Sequence, residues 1–550
     1  GALAGGTLGN RPIRWAVSLG GDLTLWQAQT GQTLLTTSLL PEGDYVTSTP
    51  EGRYDTNMDA DDASFRWFVP DEPYQSLSPQ TFMRDYFTPR LHRKLVDCAT
   101  AGNCAQVLKP LPSIAGLNRL QPVVTITGVE MDPKDAGDAW VSLEIDEAVN
   151  PKTRRRSGLY GLKLLMNGRE VARDPDDPNA PMPRTLAEWR KVNRTETDNG
   201  HYNYQLRVTI PSDGKLLEFS AYAFNEDRVK SESAFFSWKP PRQKPRQRRA
   251  FVLTIGVDAY AERRLDLNFA VADARLIGER LTAIPGYEMR RASLTTSATR
   301  AVTSEHIQNA LSLLGGLQVE AAREMLTAAG HDVAQLDETT PDDVVIISFS
   351  GHGFADKSGN FALLPSDARW PLNSTGPALE TTVTADDLTL WLRYINAGDI
   401  AFIIDACHSG AAVDTPDFKP GPMGDPGLGQ LAFDKLIRIL AATQADDVAL
   451  ESANLRQGLL TASLSEGLEA GTGSLRGDED GDGNVGLDEW LRYAVDRLPS
   501  LSEEARRGGT AMAARGVRLV MRTPAAPPRV QEPSLFDFST EDSPVIVRRR

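Results

Sequence analysis

The chain has 550 residues, 41% of them hydrophobic, and a net charge of −15. That length implies about three domains with real cores, and the acidic balance argues against a nucleic-acid partner and for a cationic substrate segment. No run approaches the roughly 18 to 20 apolar residues of a membrane span, so no membrane partner is expected, and no signal peptide is visible.

The three cysteines are Cys98, Cys104 and Cys407. Such sparse use suits a reducing compartment, so a cytoplasmic location is expected. Cys98 and Cys104 are close enough for a small loop disulfide, but read as buried or idle thiols.

Residues 1–42 read as a few short strands, Arg14-Trp-Ala-Val-Ser, Asp22-Leu-Thr-Leu-Trp26 and Thr33-Leu-Leu-Thr. This stretch resembles the end of one WD-repeat propeller blade, with Gln27 where the repeat has Asp. One blade cannot bury its face alone. Either further blades or a regulatory partner lie upstream, or the strands pack on another domain. Residues 43–120 read as a connector with one helix over 79–97.

Residues 121–238 alternate in the strand manner, as in Val123-Val-Thr-Ile-Thr and Leu216-Leu-Glu-Phe-Ser-Ala-Tyr-Ala, and Asn167-Gly168 is a hairpin turn signal. The pattern predicts an all-β sandwich that resembles immunoglobulin-like modules. Residues 239–249, Lys-Pro-Pro-Arg-Gln-Lys-Pro-Arg-Gln-Arg-Arg, hold six cations and no acid. They read as a solvated basic hinge, with cleavage by a basic-specific protease as the sharper reading.

From residue 250 to 523 strands alternate with helices, which predicts an α/β domain with a mainly parallel sheet. Phe251-Val-Leu-Thr-Ile-Gly-Val is its first strand, a helix over 268–284 carries Asp273, and a helical pair covers 304–330. Thr384-Ala-Asp-Asp387 is a helix-capping signal. Lys435-Leu-Ile-Arg-Ile-Leu-Ala-Ala reads as a strand, and Gly516 to Met521 as the last one. Residues 524–550, rich in Pro and Ser, read as a disordered tail.

Two apolar runs in this domain end in reactive side chains. Asp343-Val-Val-Ile-Ile-Ser-Phe leads to Ser350-Gly-His352-Gly353, and Ile400-Ala-Phe-Ile-Ile leads to Asp405-Ala-Cys407-His-Ser-Gly410. Chemistry collects at the carboxyl ends of strands in open α/β sheets, and a His can hold a Cys as the nucleophilic thiolate. The two motifs, in order and 55 positions apart, resemble those of the caspase-like cysteine peptidases, closest to the metacaspase and bacterial orthocaspase branch. Some bacterial relatives carry immunoglobulin-like modules ahead of that domain.

The resemblance implies Cys407 as nucleophile and His352 as general base and acid, with the backbone N–H groups of Gly353 and Cys407 as oxyanion donors. His408 reads as structural. Asp405 stands where Asp-specific caspases do not have an acid; with Asp273 it implies a pocket for Arg or Lys, although Ala272 replaces the expected Asn. Asp446 and Asp447 read as a solvated loop, with added negative potential in the cleft as the sharper reading. Lys419, a candidate processing point, precedes Pro420 and makes a poor cleavage bond.

Asp478-Glu-Asp-Gly-Asp-Gly-Asn-Val-Gly-Leu-Asp-Glu489 follows the EF-hand loop pattern. Asp478, Asp480, Asp482, the carbonyl of Asn484 and Glu489 are the expected Ca2+ ligands, and Gly483 allows the sharp turn. The sequence thus points to a cysteine endopeptidase acting on proteins after Arg or Lys, with calcium in a structural or regulatory role. Its rival is a catalytically idle scaffold or sensor working through the β-rich domains.

Overall fold

The computed structural model describes residues 3–8, 11–18, 20–58, 65–69, 72–101, 108, 110–176, 200–355, 361–372, 374–407, 409, 421, 427–443, 450–452, 456–471, 474–507, 512–514, 531–539 and 543–549. The strand expected over Gly516 to Met521, together with His408, Lys419, Asp446 and Asp447, lies outside these residues.

The N-terminal part is mostly β-sheet. Leu3–Leu8, Arg11–Val17, Leu23–Gln27, Thr33–Leu39, Tyr45–Ser48 and Tyr54–Thr56 form one antiparallel sheet in chain order. This sheet crosses the boundary expected at residue 42, because the chain reverses at Gly43 (φ +89°) and pairs Leu39 with Tyr45. The connector is therefore not a separate stretch. Its single predicted helix is broken into Pro79–Phe82, Met83–Tyr86 and Leu91–Ala101. Pro89 lacks the N–H that a continuous helix needs, and Arg90 takes φ +59°. Asp55 then accepts from the N–H of Leu91 at 3.1 Å. Cys98 is disulfide-bonded, which corrects its reading as an idle thiol.

Residues 123–238 make two antiparallel sheets. One holds Val123–Met131, Asp138–Asp146 and His201–Thr209; the other holds Gly161–Met166, Arg169–Asp174, Leu217–Phe224 and Ala234–Trp238. Both bury alternate residues in one core that includes Val141, Leu143, Leu164 and Phe219. The Asn167-Gly168 turn forms as expected, with positive φ at both positions.

The basic linker is not the freely solvated hinge expected from its composition. Arg246 donates to Asp342 at 3.0 Å and to the carbonyls of Ile210 and Gly137 at 2.9 and 2.8 Å. Arg249 donates to Asp343 at 2.6 Å. Two of its arginines, Arg246 and Arg249, thus find carboxylates on the next part of the chain, while Arg242 and Arg248 stay exposed.

The next part is built on a six-stranded sheet. Its elements in chain order are β1 (Arg249–Gly256), α1 (Ala270–Arg280), β2 (Glu288–Thr295), α2 (Ser304–Leu314), α3 (Val319–Ala328), β3 (Val344–Ser350), β4 (His352–Ala355), β5 (Phe361–Leu364), β6 (Val383–Thr384), α4 (Ala385–Leu392), β7 (Asp399–Asp405), α5 (Leu428–Lys435), β8 (Arg438–Ala441), α6 (Leu459–Gly467), β9 (Asn484–Gly486), α7 (Leu487–Arg507), β10 (Ser534–Asp537) and β11 (Val545–Arg548). The strand order is β2-β1-β3-β7-β8-β10, parallel except for the last pair. Phe251, Val345 and Phe402 face one core, and Val252, Ile346 and Ile403 face the other. Burial on both faces explains why these strands read as unbroken apolar runs. The capping box at the start of α4 forms between Thr384 and Asp387.

Two expectations fail here. The strand predicted from Lys435 begins only at Arg438, because α5 runs to Lys435 and Leu436 turns the chain with φ +56°. The tail read as disordered contributes β10 to the sheet edge, and β11 pairs with β9. Ile546 of β11 is fully buried in the core of the second face. Pro and Ser make up eight of the 27 tail residues, but its two short apolar runs are enough to dock.

A buried charge cluster joins the earlier β-sheets to α5. Lys163 pairs with Asp434 and, at 3.1 Å, with Glu170, and Arg173 also pairs with Glu170. Burial opposes the charge of Glu170, but the Arg173 and Lys163 cations outweigh that cost and hold its carboxyl below the usual carboxylate range.

Candidate active site

β3 and β7 are neighbours in register, with Ser350 opposite Asp405. Both strands end there, so the residues that follow leave the sheet at the same edge. Gly351 donates its N–H to the carbonyl of Asp405 at 3.3 Å. At Gly353 the two chains touch: a β-carbon there would run into the carbonyl oxygen of Cys407 and stand 3.1 Å from the β-carbon of Ala406. The motifs expected to cooperate are thus brought together, and glycine at 353 is what lets their backbones meet.

His352 is buried, 5% exposed, and Cys407 is fully buried. The imidazole Nε2 lies 2.8 Å from the carbonyl of Leu265. A carbonyl only accepts, so Nε2 carries the hydrogen and, in the neutral ring, Nδ1 holds the lone pair. The backbone N–H of His352 donates to the hydroxyl of Tyr260 at 3.0 Å, and the two rings lie 5.2 Å apart. The segment from Tyr260 to Leu265 thereby fixes both the tautomer and the placement of the histidine. Sequence reasoning missed Leu265, because a main-chain carbonyl leaves no side-chain signature.

Asp405 and Asp273 are both buried, 2% and 0% exposed. Asp273 lies in the first turn of α1, which packs tightly on β1 at Gly256, where a β-carbon would meet Val271 and Ala274 at 2.9 Å. The same short piece of chain serves both acids. Gly458, the N-cap of α6, donates its N–H to Asp273 Oδ1 at 2.9 Å, and Thr461 Oγ1 donates to Asp405 Oδ2 at 3.0 Å. Neither Gly458 nor Thr461 carried a signal in the sequence.

The acidic loop folds as a tight turn, with Gly481 and Gly483 at φ +79° and +87°. Carboxylate oxygens of Asp478, Asp480 and Glu489 lie within 4.8 Å of one another, the metal-compatible group found among the described residues. Three convergent carboxylate oxygens fit a hard cation such as Ca2+. The carboxylate of Asp482, outside that trio, accepts from the backbone N–H and the side-chain amide of Asn484 at 2.7 and 2.9 Å. These bonds hold its pKa below the usual carboxylate range. Glu489 accepts from the N–H groups of Glu479, Asp480 and Gly486.

No helix among the described residues is long and apolar enough to cross a membrane. No curated protein matches the chain. A crystal structure of caspase-1 from Spodoptera frugiperda is similar over 56% of this chain and 97% of its own, at 12% identity and a TM-score of 0.30. An exopolygalacturonase from Yersinia enterocolitica is similar over 52% and 53%, at 9% identity and a TM-score of 0.13. At such scores neither likeness carries an argument. The family model described as the caspase domain matches residues 249–479, from the start of β1 to the first residues of the acidic loop. That match, over less than half of the chain, spans His352, Cys407 and both buried acids, so this stretch is similar to caspase domains.

Proposed function

We propose that this protein is a cysteine endopeptidase that cuts protein substrates after Arg or Lys. The observation that carries the reading is the backbone contact of Gly353 with Cys407, beside a histidine whose Nε2 is committed to Leu265. His352 Nδ1 takes the thiol proton of Cys407, and the resulting thiolate sulfur attacks the scissile carbonyl carbon, the displaced electron pair passing to the carbonyl oxygen. The N–H groups of Gly353 and Cys407 receive that oxyanion. Collapse breaks the C–N bond as His352 Nδ1–H protonates the leaving amine. A water, losing its proton to Nδ1, then hydrolyses the thioester and frees the sulfur.

The substrate preference rests on the two buried carboxylates. Asp405 and Asp273 tied to one helical turn favour a cationic side chain over a neutral or acidic one. The complete burial of Cys407 supports a closed, precursor-like state that must open to admit substrate. Calcium, held by Asp478, Asp480 and Glu489 with Asp482 and the Asn484 carbonyl completing the set, would supply a hard positive charge to the loop. Assignment to the bacterial metacaspase or orthocaspase branch, with propeller-like and immunoglobulin-like modules, rests on the motifs alone. The disulfide at Cys98 supports an oxidising compartment over the cytoplasm expected from the sequence.

Fluorogenic Arg, Lys and Asp peptides test the reading. Turnover of the basic peptides, lost in Cys407→Ala and strongly reduced in Asp405→Ala, is expected. Equal turnover of Asp peptides would refute the pocket, and turnover undiminished by Cys407→Ala would refute the nucleophile.

A further inference from the structure

We infer that Thr461 is a positioning residue for the pocket that receives the basic side chain, an inference that rests on the function proposed above. Asp405 comes from the end of β7 and Asp273 from α1, two elements separated by a long stretch of chain. The first turn of α6 reaches both, through the Thr461 hydroxyl and the Gly458 N–H, three residues apart.

The physical need is plain. A carboxylate taken out of water loses solvation that must be replaced by donors or by a cation. Thr461, itself 2% exposed, offers one fixed donor to one oxygen of Asp405. That bond sets the rotamer of the carboxylate, and so the direction in which it meets an incoming guanidinium or ammonium group. Thr461 lies outside both motifs, 54 positions beyond Cys407, and returns to the sheet edge to make the bond.

Thr461→Val keeps the side-chain shape and removes only the donor. A hydrogen bond to a charged group is worth enough that KM for Arg and Lys peptides should rise about tenfold or more, with a much smaller change in kcat, since the bond acts on binding and not on the sulfur. The inhibition constant of benzamidine, a small cation that fills the pocket without being cut, should rise in parallel. Thr461→Ser restores the hydroxyl and should restore both. Thr461→Ala, with less apolar bulk to accommodate, repeats the test if the valine variant does not fold. Unchanged KM and benzamidine affinity in both hydroxyl-free variants, or a loss that serine does not rescue, overturns the inference alone. Wild-type protein that cleaves other peptides but neither Arg nor Lys overturns the specificity reading and this inference with it.

Discussion

Arg438 on β8 donates through Nε to Asp537 on β10 at 3.3 Å, while its other arm reaches Asp399 on β7 at 2.7 Å. The guanidinium is only 2% exposed. A buried arginine in mid-sheet needs carboxylates on both sides, and the tail supplies one of them. This explains why a Pro- and Ser-rich segment adds a strand to the sheet. Farther on, β11 pairs Val547 with Val485 inside the acidic loop, so the tail connects the sheet edge to the loop.

Ile546→Ala should therefore destabilise the protein by about 2–5 kcal/mol, the usual cost of emptying a packed aliphatic site. Urea unfolding measures it. A tail that only decorated the surface would give a change near zero.

Gly353→Ala should abolish peptidase activity while leaving a folded protein. The added methyl has no room against the Cys407 carbonyl, and forcing extra atoms into a packed site costs about 1–3 kcal/mol. Most of that strain falls on the relative placement of His352 and Cys407. A variant with kcat/KM within a few fold of wild type would show that the two backbones can part without consequence.

Calcium should raise the melting temperature, and Glu489→Gln should remove the effect. A ligand present at 100 times its Kd stabilises by about 2.7 kcal/mol. The backbone bonds that Glu489 accepts from Glu479, Asp480 and Gly486 also show that the loop can keep its shape through its own donors. Calorimetry separates binding from activity: no heat and no thermal shift in the wild type would eliminate the site. Peptidase assays across the same titration distinguish a regulatory ion from a structural one.

Acid should weaken the fold through His331. Burial, then the neighbouring His306, pushes it down to about 4, and its Nε2 contacts the Ala301 carbonyl at 3.0 Å. The unfolded chain takes up this proton near pH 6.5 while the folded chain does not. The stabilising contribution is thus complete above about pH 6.5 and is lost as pH falls toward about 4. Urea midpoints at pH 7.5 and 5 should differ less in His331→Gln than in wild type; equal slopes would remove His331 as the cause.

Much of the site was legible in the residues. The runs ending in Ser350-Gly-His-Gly and Asp405-Ala-Cys-His-Ser-Gly were readable because strands buried on both faces stay apolar throughout, and the reactive side chain follows at the break. The acidic loop was legible for a similar reason: carboxylates and glycines at fixed offsets act within a dozen residues. The tail was misread because average composition hid two four-residue strands, and the basic linker because nothing local shows that Arg246 will find Asp342.

The sequence by itself determined the chemistry on offer: a thiol, an imidazole, two acids and an oxygen-rich turn, each set by local pattern. Only the tertiary structure decided what fixes them. The Leu265 carbonyl that sets the histidine tautomer, the α6 turn that holds Asp405 and Asp273, and the tail strand beside the acidic loop all come from distant chain. Such contacts depend on how helices and strands pack around a shared core, which short-range periodicity does not encode.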